Sequence, residues 1–262
     1  MNMTSQFNLE GCTAIVTGGS KGIGLDIALT LAQHGADLVI SGRNKKDLNI
    51  VENQIINLGR KCVSIVADLA KEDEIEMLSK KSLEHFKNID ILVNNAGTAI
   101  INSILKTTTQ EWDEVMKINL KAPFLLSKLI APTMIKNKKG KIINVSSQAG
   151  VFGLEDHSAY SSSKGGLNML TKCMTSEWGK HNIQTNSVCP IVVMTQMGKQ
   201  VWSDPKVTGP MIDRIPSGRF VETQEVADMV LFLASSASDM INGQIISVDG
   251  GNAATCWPAK KN

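Results

Sequence analysis

The sequence predicts an α/β fold built as one domain, a doubly wound, seven-stranded parallel sheet with helices on both faces. Short β-rich apolar runs alternate with amphipathic helical stretches along the chain, and near-continuous apolar strands belong to parallel sheets buried on both faces. A glycine-rich turn follows the first strand and opens the first helix, as phosphate-binding turns of such sheets do. No linker rich in Pro, Gly or Ser and no fixed-period repeat interrupts the 262 residues, a length one such domain routinely fills.

In chain order, strands are expected at 13–17, 38–41, 63–67, 91–93, 141–145, 184–188 and 244–248. Helical patterns lie between them at 22–34, 45–58, 71–86, 110–135, 158–180 and 224–234. Right-handed crossovers wind such helices onto both faces and leave ligands outside the carboxyl ends of the strands. Residues 195–217 break the rhythm with Pro205, Gly209, Pro210 and Pro216. An insertion there is placed to act as a substrate lid, or equally as a plain surface connection.

Composition narrows the function classes. Hydrophobic residues at 42% and charged residues at 20% suffice for a core without staples. A net charge of +2, with no basic tail, gives nucleic acid no footprint. No apolar run has the length of a membrane span, and the first ten residues lack a secretory pattern, so a cytoplasmic protein is expected. Five scattered cysteines without C-x-x-C spacing read as reduced thiols, and four dispersed histidines offer no metal cage. The closing stretch 256–262 is polar, and its Trp257 could reach a neighbouring subunit.

The turn runs Thr17-Gly18-Gly19-Ser20-Lys21-Gly22-Ile23-Gly24. Gly18 permits a tight exit from the strand, Gly22 lets the backbone approach a pyrophosphate, and Gly24 lets the helix pack on the sheet. A diphosphate then meets the free N–H groups and positive dipole end of the helix. The second strand ends Ser41-Gly42-Arg43, with Asp37 at its other end. An NAD site usually carries a carboxylate at that carboxyl end. Arg43, with Lys21, suits a 2′-phosphate instead, so NADP(H) is expected before NAD(H).

Tyr160, the only tyrosine, and Lys164 stand at i and i+4 of one expected helix. A phenol near pKa ~10 is a poor base at neutral pH, and an ammonium one turn away favours the phenolate. Ser147 follows the fifth strand at the same sheet edge, where its hydroxyl can hold a substrate oxygen as charge develops. Ser146 competes for that role.

With these residues in place, the chain resembles the short-chain dehydrogenase/reductase family over essentially its whole length. The resemblance rests on 17–24, Asp68-Leu69, Asn94-Asn95-Ala96-Gly97, Asn119, Ser147, Tyr160, Lys164 and 248–251. It implies a nicotinamide-dependent oxidoreductase with a tetrad of Asn119, Ser147, Tyr160 and Lys164. Tyr160 would give or take the proton and Ser147 would position the carbonyl. Lys164 would bind the nicotinamide ribose and lower the tyrosine pKa, while Asn119 would hold a relay water. Asp68 and Leu69 would meet the adenine, Asn95, Ala96 and Gly97 would line the adenosine ribose, and Val193 and Thr195 would face the carboxamide and diphosphate. The family's serine stands thirteen before the tyrosine and three before a glycine, here Gly150, which selects Ser147. Cys189-Pro190-Ile191 departs from the family's Pro-Gly after the sixth strand.

Segments 190–205 and 214–220 look like the L-xylulose (dicarbonyl) reductase and polyol dehydrogenase branch. That resemblance implies a small hydroxylated or carbonyl substrate, such as a sugar ketone, in a cleft lined by Gln148, His157 and Trp202. It also implies a homotetramer whose 110–135 and 158–180 helices pair across subunits. Two alternatives stay open. One is a 3-oxoacyl thioester reductase whose carrier protein docks on Lys136, Lys138, Lys139 and Lys141. The other is a dinucleotide-binding regulator without turnover.

Overall fold

The protein is described from a computed structural model covering residues 6–195, 198 and 204–255. Seven parallel strands form one sheet: β1 (Thr13–Thr17), β2 (Asp37–Gly42), β3 (Cys62–Val66), β4 (Ile91–Asn94), β5 (Gly140–Val145), β6 (Ile183–Pro190) and β7 (Ile245–Val248). Their order across the sheet is β3-β2-β1-β4-β5-β6-β7. The order reverses direction between β1 and β4, which opens a crevice at the carboxyl ends where such sheets bind ligands.

The strands are buried on both faces because successive residues feed opposite layers. Ala14 and Val16 of β1 enter one hydrophobic layer and Ile15 the other; Leu38 and Ile40 of β2 part from Val39 in the same way. Helices α1 (Gly22–Gln33), α2 (Lys45–Asn57) and α8 (Thr223–Ala234) cover the first layer. Helices α3 (Glu72–His85), α5 (Ala122–Asn137) and α6 (Ser158–Trp178) cover the second. Each fully buried aliphatic side chain in these layers contributes roughly 1.5–3 kcal/mol. Among the described residues no helix is long and apolar enough to cross a membrane.

One expected helix is built differently. The 110–135 stretch is α4 (Thr109–Met116), a single π turn (Lys117–Lys121) and α5. Thr108 starts it with a capping box to Glu111. The π turn carries Asn119, fully buried, whose side chain bonds outside the helix. Such a one-turn widening commonly marks a functional position. The 195–217 insertion contains a helix, α7 (Pro205–Ile212); the tail 256–262 lies outside the described residues.

Under the carboxyl edge a polar chain crosses the sheet. Asn94 Nδ2 donates to Asn144 Oδ1 at 2.9 Å, Asn144 Nδ2 donates to Thr171 Oγ1 at 2.8 Å, and Thr171 meets Ser187 at 2.8 Å. All four residues are buried. It ties β4, β5 and β6 to α6, and a buried polar chain is costly once broken. Asn144→Ala, which strands its neighbours, is expected to destabilise the fold by about 1–3 kcal/mol. Urea unfolding measures this, and an unchanged midpoint would show the chain contributes nothing.

Candidate active site

The glycine turn is shaped as a cradle. Gly18 (φ +64°) and Gly22 (φ +55°) occupy the left-handed region that side chains avoid. A Cβ on Gly24 would stand 2.2 Å from the Gly18 carbonyl, so α1 can start there only without a side chain. The first turn of α1 has no side-chain cap and no acidic residue, leaving its N–H groups for an anion. Thr195 faces the turn from across the crevice, its Cγ2 3.2 Å from where a Gly22 Cβ would be. Val193 is held beside it by a parallel bridge to Val221. Ser41 Oγ at the end of β2 is buried without a partner. An unfilled turn, an uncapped helix end and an orphaned hydroxyl together fit a dinucleotide.

Thr17 and Asn95 fasten this cradle to β4. Thr17 Oγ1 accepts from Asn95 N–H (3.0 Å) and Ala96 N–H (3.1 Å), while Asn95 Nδ2 donates to Thr17 O (2.8 Å). At the end of β2 Ser20 Oγ lies against Gly42, and Arg43 is exposed. Asp37, at the opposite end of that strand, is paired with Arg60 at 3.0 Å. Asp68 follows β3 and accepts from Ala70 N–H, and Leu69 packs on the second hydrophobic layer.

The reacting groups gather where β5 ends. Ser147 Oγ accepts from Ala149 N–H at 3.1 Å and neighbours the Tyr160 phenol. Burial pushes the phenol above its ordinary pKa, and Ser147 opposes that rise. Lys164 Nζ, buried, donates to Val145 O at 2.8 Å and stands 5.8 Å from the Tyr160 ring centroid. Desolvation lowers its pKa to about 8. The expected lowering of the phenol by the ammonium is therefore not the balance found: the phenol is raised by burial, and the lowering influence is the serine hydroxyl.

Asn119 Oδ1 accepts from Thr98 N–H (2.8 Å), while its Nδ2 donates to Thr98 O (2.8 Å) and Ser163 Oγ (3.0 Å). Gly97 leaves open a space between Asn119 and Lys164, since a Cβ there would lie 3.3 Å from Asn119 Oδ1 and 3.5 Å from Lys164 Nζ.

The two serines separate by partner. Ser146 Oγ donates to Lys164 O at 3.2 Å, a tether between β5 and α6, while Ser147 faces the phenol. His157 precedes α6 with its ring edge-on to Tyr160, centroids 6.3 Å apart. The Gln148 amide is directed away from a cleft-lining role, because its Nε2 donates to Asp249 Oδ2 (3.0 Å) and Asn252 Oδ1 (2.7 Å). Trp202 lies outside the described residues.

Sequence reasoning missed the parts played by Ser163 and Cys189, and used Gly150 only as a marker of the serine turn. Ser163 links Asn119 to Tyr160, its Oγ donating to Tyr160 O at 2.7 Å. Gly150 lets the serine turn rest on α6, since a Cβ there would come within 2.6 Å of the Lys164 backbone. Cys189 is buried beneath, its thiol pushed up by burial and touching Ser146, Asn168 and the Ser147 backbone. Of the two missed, only Ser163, three after the tyrosine, carried a local signal, as an i,i+3 neighbour on one helix face.

Comparison with known proteins agrees with this geometry. A family model described as enoyl-(acyl carrier protein) reductase (adh_short_C2) matches residues 18–253. L-xylulose reductase of Caenorhabditis elegans is 39% identical over 250 residues, covering 95% of this chain and 98% of that one. The 2-dehydro-3-deoxy-D-gluconate 5-dehydrogenase of Escherichia coli (strain K12) is 40% identical, covering 94% and 97%. The structure of a gluconate 5-dehydrogenase from Burkholderia cenocepacia J2315, in complex with NADP and tartrate, superposes with a TM-score of 0.92 at 32% identity, covering 96% of this chain and 99% of that one. Matched over nearly its whole length, the chain belongs to the short-chain dehydrogenase/reductase family and is an oxidoreductase.

Proposed function

We propose that this chain transfers hydride between a nicotinamide dinucleotide and the alcohol or ketone carbon of a small polyol or xylulose-like sugar ketone. The observation that carries the reading is the buried Lys164 ammonium, bonded to Val145 O and 5.8 Å from the ring centroid of Tyr160, with Ser147 beside the phenol. When bound, the nicotinamide supplies or accepts the hydride. Ser147 donates to the substrate oxygen and holds the carbonyl against the phenol as negative charge develops. Tyr160, kept protonated at neutral pH by its raised pKa, gives its proton to that oxygen during reduction. Lys164, with a pKa of about 8, carries a proton near working pH and can restore the phenol's. Asn119 holds the α4–α5 side of the space beside Gly97, through which that proton would come. His157, next to the phenol, and Trp202 are assigned to the substrate.

NADP(H) is the assigned cofactor, with NAD(H) second. Arg43 follows β2 and is exposed, Lys21 precedes α1, and Asp37 is engaged at the far end of the strand. Asp68, Leu69, Asn95, Ala96 and Gly97 are assigned to the adenosine half, Val193 and Thr195 to the nicotinamide half. The substrate class follows its full-length relatives, an L-xylulose reductase and a 2-dehydro-3-deoxy-D-gluconate 5-dehydrogenase.

Carrier-protein docking through the lysines fits less well. Lys141 is buried and bonded to Asp239 at 2.8 Å, and Lys136, Lys138 and Lys139 cluster at the amino end of β5. That end is about 16 Å, at ~3.3 Å per strand residue, from the carboxyl end of β5 that Ser147 follows. A regulator without turnover would have no use for a buried ammonium held near a phenol that neighbours a serine.

Tyr160→Phe should abolish ketose reduction while dinucleotide affinity stays within a few-fold, and Ser147→Ala should lower kcat by roughly two orders of magnitude. Ser146→Ala should lose stability rather than rate; equal kcat losses for both serines would reject the assignment. Arg43→Asp is expected to move the NADP/NAD ratio of kcat/KM toward NAD by about tenfold or more, ~1.4 kcal/mol. An unchanged ratio removes Arg43 from the cofactor site. Phe124 on α5 and Met169 on α6 present exposed apolar surface, in keeping with a homotetramer formed by these helices. Sedimentation should give four copies, and a monomer would contradict it.

A further inference from the structure

The residue after the catalytic serine is anchored to the end of the chain. Gln148 is buried, and its two amide donations go to Asp249 and Asn252 just beyond β7. Asp249 is also buried, and its carboxylate takes Gly251 N–H (3.0 Å) and Ala253 N–H (2.8 Å) besides the Gln148 amide. The same turn holds the segment after α7. Asn252 Nδ2 donates to Arg214 O at 2.8 Å, and Ser217 donates to Gly250 O from its N–H (3.1 Å) and its Oγ (3.0 Å). Gly250 and Gly251 adopt φ of +61° and +91° against 215–217, where a Cβ on Gly250 would come within 2.7 Å of Ile215. Asn252 is thus the node at which the serine turn and the 208–218 segment meet.

We propose that Gln148 is a positioning residue: with Asp249 and Asn252 it latches the Ser147 turn and the segment beside the crevice onto one anchor, so that Ser147 keeps its aim only while that segment is docked. The inference rests on the reading of Ser147 and Tyr160 as the reacting pair. Opposite this latch, Gly150 and Asn168 hold the turn to α6, with Asn168 Nδ2 donating to Gly150 O at 3.0 Å. The turn is gripped from two sides, and the Ser147 hydroxyl emerges between them.

Gln148→Met keeps the side chain's length and removes both donors. With a small ketose and NADPH, kcat should fall at least tenfold and KM by less than threefold either way. The pH limb set by the phenol should move upward, because a loosened Ser147 no longer opposes the phenol's raised pKa. A rise in KM alone, with kcat and the limb unchanged, would make Gln148 a substrate contact and overturn the proposal. Asn252→Ala should speed hydrogen exchange at the Ser217 amide, and combined with Gln148→Met it should add little to the loss in kcat. Fully additive losses, or unchanged exchange in a variant that unfolds at the wild-type temperature, would also overturn it. If the wild-type chain reduces no ketose, the functional reading fails, and the exchange measurement still decides the latch.

Discussion

Everything at this site depends on how the loop after β5 meets the helix α6. Ser147 leaves the sheet at the carboxyl end of β5, and Tyr160 enters two turns of chain later on a helix that packs across that end. Keeping two side chains against each other in such a place requires both backbones to be fixed to within about half an ångström. The structure supplies that fixation from buried polar contacts: Ser146 to Lys164 O, Asn168 to Gly150 O, and the Asn144–Thr171 bond beneath. Each would be expensive to leave unmet, so the strand, turn and helix hold one register. The absence of a side chain at Gly150 is part of the same constraint, since the turn could not otherwise lie on α6.

The electrostatics follow from that closeness. Burial raises a phenol and lowers an ammonium, so the same desolvation moves Tyr160 and Lys164 in opposite directions from their ordinary values. At neutral pH the phenol holds its proton and the ammonium, at about 8, is near the point of releasing one. The replenisher thus gives up its proton more readily than the donor can return one to it, which repeated proton transfer requires. Ser147 contributes by opposing the rise of the phenol, which keeps the proton from being held too tightly. The approach of Lys164 to Val145 O adds a fixed partner, so the ammonium does not swing away when the crevice changes occupancy.

Much of this was legible in the sequence, and the reasons are local. Strands buried on both faces read as uninterrupted apolar runs, so all seven were placed within two residues of their ends. The glycine turn was readable because its positive-φ positions accept no other residue cheaply. Tyr160 and Lys164 were readable because i and i+4 share a helix face. The π turn at 117–121 was not, since an extra residue in a helical turn leaves the apolar pattern almost unchanged. Gln148 was read as facing the substrate because its true partners, Asp249 and Asn252, stand a hundred residues on. The balance on Tyr160 was also misread, because helical spacing tells nothing of how deeply the ring is desolvated.

The sheet's topology explains why such distant partners meet here at all. In a parallel sheet every strand points its carboxyl end the same way, so the loops after β1, β4, β5, β6 and β7 converge on one edge whatever their separation in sequence. The first loop brings the glycine turn with its uncapped helix end, the fourth and fifth bring Gly97 and Ser147, the sixth brings Thr195 opposite Gly22, and the seventh returns to clamp Gln148. Catalytic placement is thereby distributed over the whole chain, and no short segment carries it. That distribution also fixes where change is tolerated. Residues between α7 and β7 can vary in what they present to a substrate while Arg214 O and Ser217 stay attached to the β7 turn. Substrate preference can therefore shift without disturbing the Ser147–Tyr160 pair, provided the anchor that both share is left in place.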